Sequence, residues 1–192
     1  MRRLLAGLAV GVSLLAVVTG CAGLPMRRSA PDVPQLVRVD DGLYRGGQPT
    51  MEGVRHLSRL GVRTIVNLRR HSAIMDEERH LAEALGMRWV SIPIWAWGAP
   101  SEAQLRQFLA IANDAAARPV FVHCRLGRNR AGVMVAVYRI VHDGWPPERA
   151  YAESCRLGMV PWNPVSRHVI LRRVPRAFVA TAPWSAPPDP TP

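Results

Sequence analysis

The chain has 192 residues and a mass of 21.2 kDa, with 48% apolar and 20% charged residues. That is enough for one packed domain and too polar for a bundle of membrane spans. Its 25 basic residues are all arginine and outnumber 14 acids, giving +11 at neutral pH, a balance that favours an anionic partner. Nucleic acid is not expected as that partner, because no basic run is interleaved with aromatics and no zinc-ligand spacing occurs.

Residues 1–21, MRRLLAGLAVGVSLLAVVTGC, open with two arginines, continue as an apolar run from Leu4 to Val18 and close on small residues. This is the anatomy of an export signal, and the run is too short to cross a bilayer comfortably. The tetrad Val18-Thr19-Gly20-Cys21 resembles the lipobox of bacterial lipoproteins. The resemblance implies lipidation of Cys21 and attachment to the cell envelope through acyl chains. Ala22, in place of Asp after the cysteine, is similar to lipoproteins of the outer membrane, on its periplasmic face. Residues 22–34 hold three prolines and no apolar period, and are expected to be a flexible tether. Residues 181–192 are proline-rich and expected to be disordered, which leaves a domain over 35–180.

Inside that domain helical and strand-like segments alternate. A helix over 51–60 has Thr50 as its cap and Gly61 as its stop, and the β-branched run VRTIVNL (62–68) follows as a strand. DEERHLAEAL (76–85) reads as a helix by its acidic first turn, and MRWVSIP (87–93) as the next strand. Ser101 and Gln104 form a capping box opening a helix to about Ala116. VFVHC (120–124) is a short continuous apolar run of the kind found in buried parallel strands. Helices follow over 130–141, 146–158 and near 164–174. The alternation implies an α/β fold in three layers, a mostly parallel sheet with helices on both faces, and a ligand at the carboxyl ends of the strands.

The segment between the buried strand and its following helix carries the chemistry. It reads His123-Cys124-Arg125-Leu126-Gly127-Arg128-Asn129-Arg130. A loop curling from a strand into a helix N-terminus turns successive amides toward one point, where the helix dipole adds positive charge. The backbone of residues 125–130 is therefore expected to hold a phosphate, with the planar fork of Arg130 gripping two of its oxygens. The same positive field is expected to favour the thiolate of Cys124, poised for in-line attack.

His-Cys, five residues and Arg resembles the signature of the protein tyrosine and dual-specificity phosphatase superfamily, matched here at His123, Cys124, Gly127 and Arg130. LYRGGQPT (43–50), GVRTIVNLR (61–69) and YRIVHDGWPPERAYAE (138–153) are similar to other stretches of its bacterial and atypical dual-specificity members, so the resemblance covers most of 40–160. It implies the phosphatase fold and hydrolysis of phosphoesters through a phosphocysteine on Cys124, with no metal and no cofactor. Arg130 and the loop amides would hold the phosphoryl group, and His123 would brace the loop and tune Cys124, the alternative for it being simple packing at the strand end. Tyr44, Arg45 and Gln48 are read as supporting the fold or the loop rather than acting in catalysis. The expected partner is a phosphorylated protein or a small polyanionic phosphoester.

Two positions depart from the family. Ala131 stands where members carry a Ser or Thr whose hydroxyl assists the second step, and IPIWAWGAPSE (92–102) holds no aspartate where they carry a general acid. Glu102, Asp76, Glu77 and Glu78 are the carboxylates left to consider, each also read as a first-turn helix acid, and the acid stays unassigned. A catalytically weak or inactive phosphate-binding lipoprotein is the alternative these departures leave open. Arg125 and Arg128 either add charge to the site or point into solvent. Trp95 and Trp97 either wall the loop or pack on the core, and packing is the expectation. Of the three cysteines, Cys21 is assigned to lipid and Cys124 to catalysis. Cys155 lies on a helix, and a disulfide between it and Cys124 is not expected.

Overall fold

The computed structural model describes residues 32–174 and Phe178. The export signal, Cys21, the tether up to residue 31 and the proline-rich tail lie outside the described residues. The last three residues assigned to the tether are packed. Val33 is buried, and the carbonyls of Asp32 and Pro34 accept hydrogen bonds from the amides of Thr50 and Gly47. Among the described residues no helix is long and apolar enough to cross a membrane.

Five strands form one sheet: β1 (Val37–Asp40), β2 (Leu43–Gly46), β3 (Thr64–Asn67), β4 (Arg88–Ser91) and β5 (Val120–His123). Their order is β1-β2-β5-β3-β4, with all neighbours parallel except the antiparallel β1–β2 hairpin. That hairpin was not read from sequence. Its strands are four residues each, and it turns at Asp40-Asp41-Gly42, where the Asp40 carboxylate accepts the Gly42 amide at 2.7 Å.

The helices are α1 (Met51–Arg59), α2 (Ala73–Ala84), α3 (Glu102–Asn113), α4 (Asn129–Val141), α5 (Pro147–Arg156) and α6 (Pro164–His168), the last running into a π-helical turn at Val169–Arg173. The caps expected from sequence are formed. Thr50 Oγ1 accepts the Gly53 amide at 3.0 Å, Gly61 takes the positive φ that ends the helix segment, and Ser101 and Gln104 close a full capping box. Helix α2 begins three residues earlier than its acidic stretch suggested, which places Glu78 mid-helix rather than in the first turn.

Two apolar clusters fill the faces of the sheet, as a three-layer fold requires. Val54, Leu57, Ile65, Ala82 and Phe121 pack under α1 and α2. The larger cluster joins Val66, Val120 and Val122 to α3, α4, α5 and the π-helical turn. Helix α4 is buried along almost its whole length, so no polar stripe marks it. Along β5 the side chains alternate: Phe121 and His123 face α1 and α2, while Val120, Val122 and Cys124 join the cluster under α4.

Candidate functional site

Register places the site. Gly46 on β2 and Asn67 on β3 both pair with His123 on β5, so three parallel strands end at one level and Cys124 is the first residue beyond it. The loop Cys124–Arg128 then runs into the N-terminus of α4. This is the carboxyl edge at which parallel α/β sheets bind ligands.

The loop is shaped by the segment after β2. Gly127 has φ +71°, and a Cβ on it would lie 2.6 Å from both the Gly46 carbonyl carbon and the Gly47 nitrogen. Only glycine fits between a left-handed backbone and a neighbouring chain that close. The Arg125 carbonyl accepts the Gln48 amide at 3.2 Å, and the Cys124 amide donates to the Gly46 carbonyl at 3.4 Å. Arg45, 1% exposed, donates from Nη2 to the carbonyls of Gly127 at 2.5 Å, Arg128 at 3.3 Å and Leu157 at 3.4 Å. Those carbonyls thereby turn inward to the protein. Burial pushes the Arg45 guanidinium down from its ordinary value, and Cys124 and Glu153 pull it back. The support expected of Arg45 and Gln48 is thus physical: both donate to loop carbonyls from behind.

Behind the loop lies a network that sequence reasoning missed. Glu78, from α2, and His123 are both wholly buried, and the His123 Nε2–H donates to Glu78 Oε1 at 2.9 Å. The same carboxylate accepts from Trp89 Nε1 at 2.7 Å and from Gln48 Nε2. Burial alone would raise the Glu78 carboxyl, but His123 and these hydrogen bonds outweigh it and hold the carboxyl below the usual glutamate range. Glu78 is therefore removed from the candidate acids: it is sealed in the interior as the partner of His123. The only sequence signal was a glutamate mid-helix in register with apolar positions. Asp76 is spent on ion pairs with His71 and Arg79, and Glu102 on Arg106.

Arg130 is half-buried, and its Nη1 donates to the carbonyls of Leu68 at 2.9 Å and Ile94 at 3.1 Å. Its Nε and Nη2 take no protein partner among the described residues, which leaves two parallel N–H groups for an anion. Cys124 and Arg130 line one cleft of about 340 Å³, together with Arg125, Arg128, Asn129, Leu126, Ala96, Trp97 and Val160. Leu126 is exposed and offers the cleft an apolar wall. The Asn129 side chain is already engaged, its Oδ1 accepting the Val160 amide at 3.0 Å. Arg125 and Arg128 are exposed on the rim. Trp95 and Trp97, expected in the core, are instead 60% and 76% exposed beside the site. No gap remained for them in a core already filled by Ile92, Ile94 and Leu105.

Cys124 is buried and Cys155 half-buried, and both are free thiols. Ala131 is wholly buried, so nothing at that position offers a hydroxyl to the cleft. Among the described residues no three His, Cys, Asp or Glu side chains converge where a metal ion would sit. A buried thiol, an arginine fork and a helix N-terminus around one cleft form an arrangement that suits a tetrahedral anion and a sulfur nucleophile.

Comparison with known proteins agrees with that chemistry. The family described as "DSP-PTPase phosphatase fused to NAD+ Kinase" matches residues 31–159. The dual specificity protein phosphatase TpbA of Pseudomonas aeruginosa, strain UCBPP-PA14, is 34% identical over 165 residues, covering 81% of this chain and 72% of TpbA. The crystal structure of P. aeruginosa TpbA aligns over 80% of this chain and 92% of that chain, at 28% identity and a TM-score of 0.57. A Cys-to-Ser variant of TpbA in complex with phosphotyrosine aligns over 81% and 93%, at 27% identity and a TM-score of 0.55. The core catalytic domain of the S. cerevisiae PP-IP phosphatase SIW14 shares the fold, with a TM-score of 0.64 at 19% identity over 71% of this chain and 84% of that one. The chain belongs to the dual-specificity phosphatases of the protein tyrosine phosphatase superfamily, and is a phosphoric monoester hydrolase.

Proposed function

We propose that the protein is an exported, lipid-anchored phosphatase that hydrolyses phosphotyrosine-type phosphoesters at the cell envelope through a phosphocysteine on Cys124. The observation that carries the reading is the cleft itself: Cys124 and Arg130 share it with the apolar walls Ala96, Trp97, Leu126 and Val160. Such walls suit an aromatic ring whose phosphate reaches the sulfur. The Pseudomonas relative crystallised with phosphotyrosine supports the same substrate class.

In the first step the Cys124 thiolate attacks phosphorus, an S–P bond forms, and the bond to the leaving oxygen breaks. Arg130 Nε and Nη2 and the loop amides meet the charge on the phosphoryl oxygens. In the second step water attacks phosphorus, the S–P bond breaks, and phosphate leaves while the sulfur recovers its electron pair. Among the described residues no carboxylate lines the cleft, so in this reading the leaving oxygen takes its proton from water. General acids supply about 10²- to 10⁴-fold, and aryl phosphates, with good leaving groups, lose least without one. Buried Ala131 favours slow breakdown of the phosphoenzyme. A protein that binds phosphate but turns over weakly is the second reading this position supports.

The test is stopped-flow hydrolysis of p-nitrophenyl phosphate and phosphotyrosine by the full chain in detergent. The expected result is a burst of product near one equivalent, then a slow steady state, with both lost in Cys124→Ser. Phosphate binding without a burst selects the second reading. For the anchor, radiolabelled palmitate incorporation and membrane fractionation are expected to disappear together in Cys21→Ser. Unchanged fractionation overturns the lipoprotein reading.

A further inference from the structure

A second cleft adjoins the one that holds Cys124. It encloses about 250 Å³, is lined by Arg69, Arg70, His71 and Trp95, and shares Ala96, Arg125 and Arg130 with the first. Its cations are placed by neutral groups. Arg69 Nη1 donates to Gln48 Oε1 at 2.9 Å, and Gln48 is itself anchored on buried Glu78, so the guanidinium is fixed without a carboxylate touching it. The Arg70 guanidinium lies over the Trp95 ring, 4.9 Å from its centroid. The Arg125 side chain has no hydrogen bond or ion pair among the described residues, and Asp76, which pairs with His71 at 3.0 Å, is shared with Arg79.

Cations gathered in one recess repel one another unless an anion sits between them. Arg69 registers the crowding: burial first, then Arg130 and Arg125, push its guanidinium down from the ordinary value, against a smaller pull from Glu78 and Cys124. A phosphoryl group in the recess removes that repulsion and gains charge-assisted hydrogen bonds from forks already oriented. Because Arg125 and Arg130 form the wall common to both clefts, the two anions must be carried close together.

We propose that this recess is a second anion subsite, and that the protein takes a compact substrate bearing a second phosphoryl group beside the one transferred to Cys124. The proposal rests on the reading of the Cys124 cleft as the phosphoryl site, and binding separates the two. Calorimetry on the full-length Cys124→Ser protein in detergent, titrated with inorganic phosphate and with tripolyphosphate, needs no turnover. Tripolyphosphate is expected to bind about tenfold or more tightly than phosphate, and Arg69→Gln or Arg70→Gln is expected to cut that ratio by roughly three- to tenfold. Arg63→Gln, an exposed arginine at the far end of β3, controls for loss of bulk charge and is expected to leave the ratio unchanged. Equal affinity for the two anions, or an equal effect of Arg63→Gln, overturns the second subsite. No binding of either anion overturns the reading of the first cleft instead. Arg70, which touches neither Gln48 nor Glu78, keeps the test valid if Arg69→Gln disturbs folding.

Discussion

The His123 imidazole and the Glu78 carboxylate meet at 2.9 Å in the wholly buried space behind the nucleophile. His123 Nδ1 lies 3.4 Å from the Cys124 carbonyl, so both ring nitrogens face oxygen acceptors. This pair couples α2 to the start of the loop that carries Cys124.

A pH dependence follows from the pair. Glu78 has a folded-state pKa below its unfolded value, so the stability it contributes is full above about pH 4.3, the ordinary value for glutamate, and is lost as the pH falls through the lower native value. Glu78→Gln is expected to flatten the acid limb of urea-midpoint against pH, and Glu78→Ala to cost about 3–5 kcal/mol at neutral pH by stranding a buried partner. An unchanged acid limb in Glu78→Gln would show that other carboxylates, Asp40 among them, set it. Asp40 is expected to contribute in the same direction. Burial would raise it, but the Gly42 amide, Tyr138 hydroxyl, Arg118 and Arg139 hold it low.

Arg45 serves the loop from its concealed side. Among the described residues its Nε and Nη1 are buried without a partner, a cost that offsets much of what Nη2 gains from the loop carbonyls. Arg45→Met is therefore expected to cost only about 1–3 kcal/mol in urea denaturation. The rate of p-nitrophenyl phosphate hydrolysis is expected to fall on the order of tenfold or more as the amides lose their aim. A fall in stability with kcat preserved would make Arg45 a packing residue alone.

Gly127→Ala sets a left-handed backbone against two main-chain atoms that belong to a neighbouring strand end and have no freedom to retreat. The strain of the conformation is about 1–3 kcal/mol before the clash is counted. Loss of more than that in thermal or urea unfolding is expected, with phosphate binding lost in whatever remains folded. A variant of wild-type stability would show that the loop relaxes without penalty.

Ala131→Ser restores a hydroxyl at the start of α4. If slow phosphoenzyme breakdown limits the reaction, the steady-state rate is expected to rise by about tenfold while the burst rate stays the same. Burying the hydroxyl is expected to cost about 1–3 kcal/mol where it finds no acceptor. Equal steady-state rates in the two proteins would place the slow step elsewhere.

Much of this molecule was legible in its residues. Glycine and proline punctuation, the Thr50 and Ser101 caps and the apolar run at 120–124 mark elements through local backbone preferences, which survive any tertiary context. The spacing from His123 to Arg130 names a chemistry because one turn of loop must bring sulfur and guanidinium around one anion. The β1–β2 hairpin escaped because VRVD and LYRG mix charged and apolar residues, without the β-branched or continuous apolar run that marks β3 and β5. Glu78 escaped because nothing in a helical segment announces that its carboxylate will face a histidine 45 residues away. The exposure of Trp95 and Trp97 escaped for the same kind of reason: an indole suits a core and a cleft wall equally, and only the volume already filled by neighbours decides.

The local sequence thus determined which groups exist and where the chain turns, through dihedral preferences and hydrogen bonds between near neighbours. The tertiary fold alone decided which distant groups meet: Arg45 under Gly127, Glu78 against His123, Arg69 beside Arg125 and Arg130. Those contacts depend on strand order and register, which are set by the burial of whole faces rather than by any short run of residues.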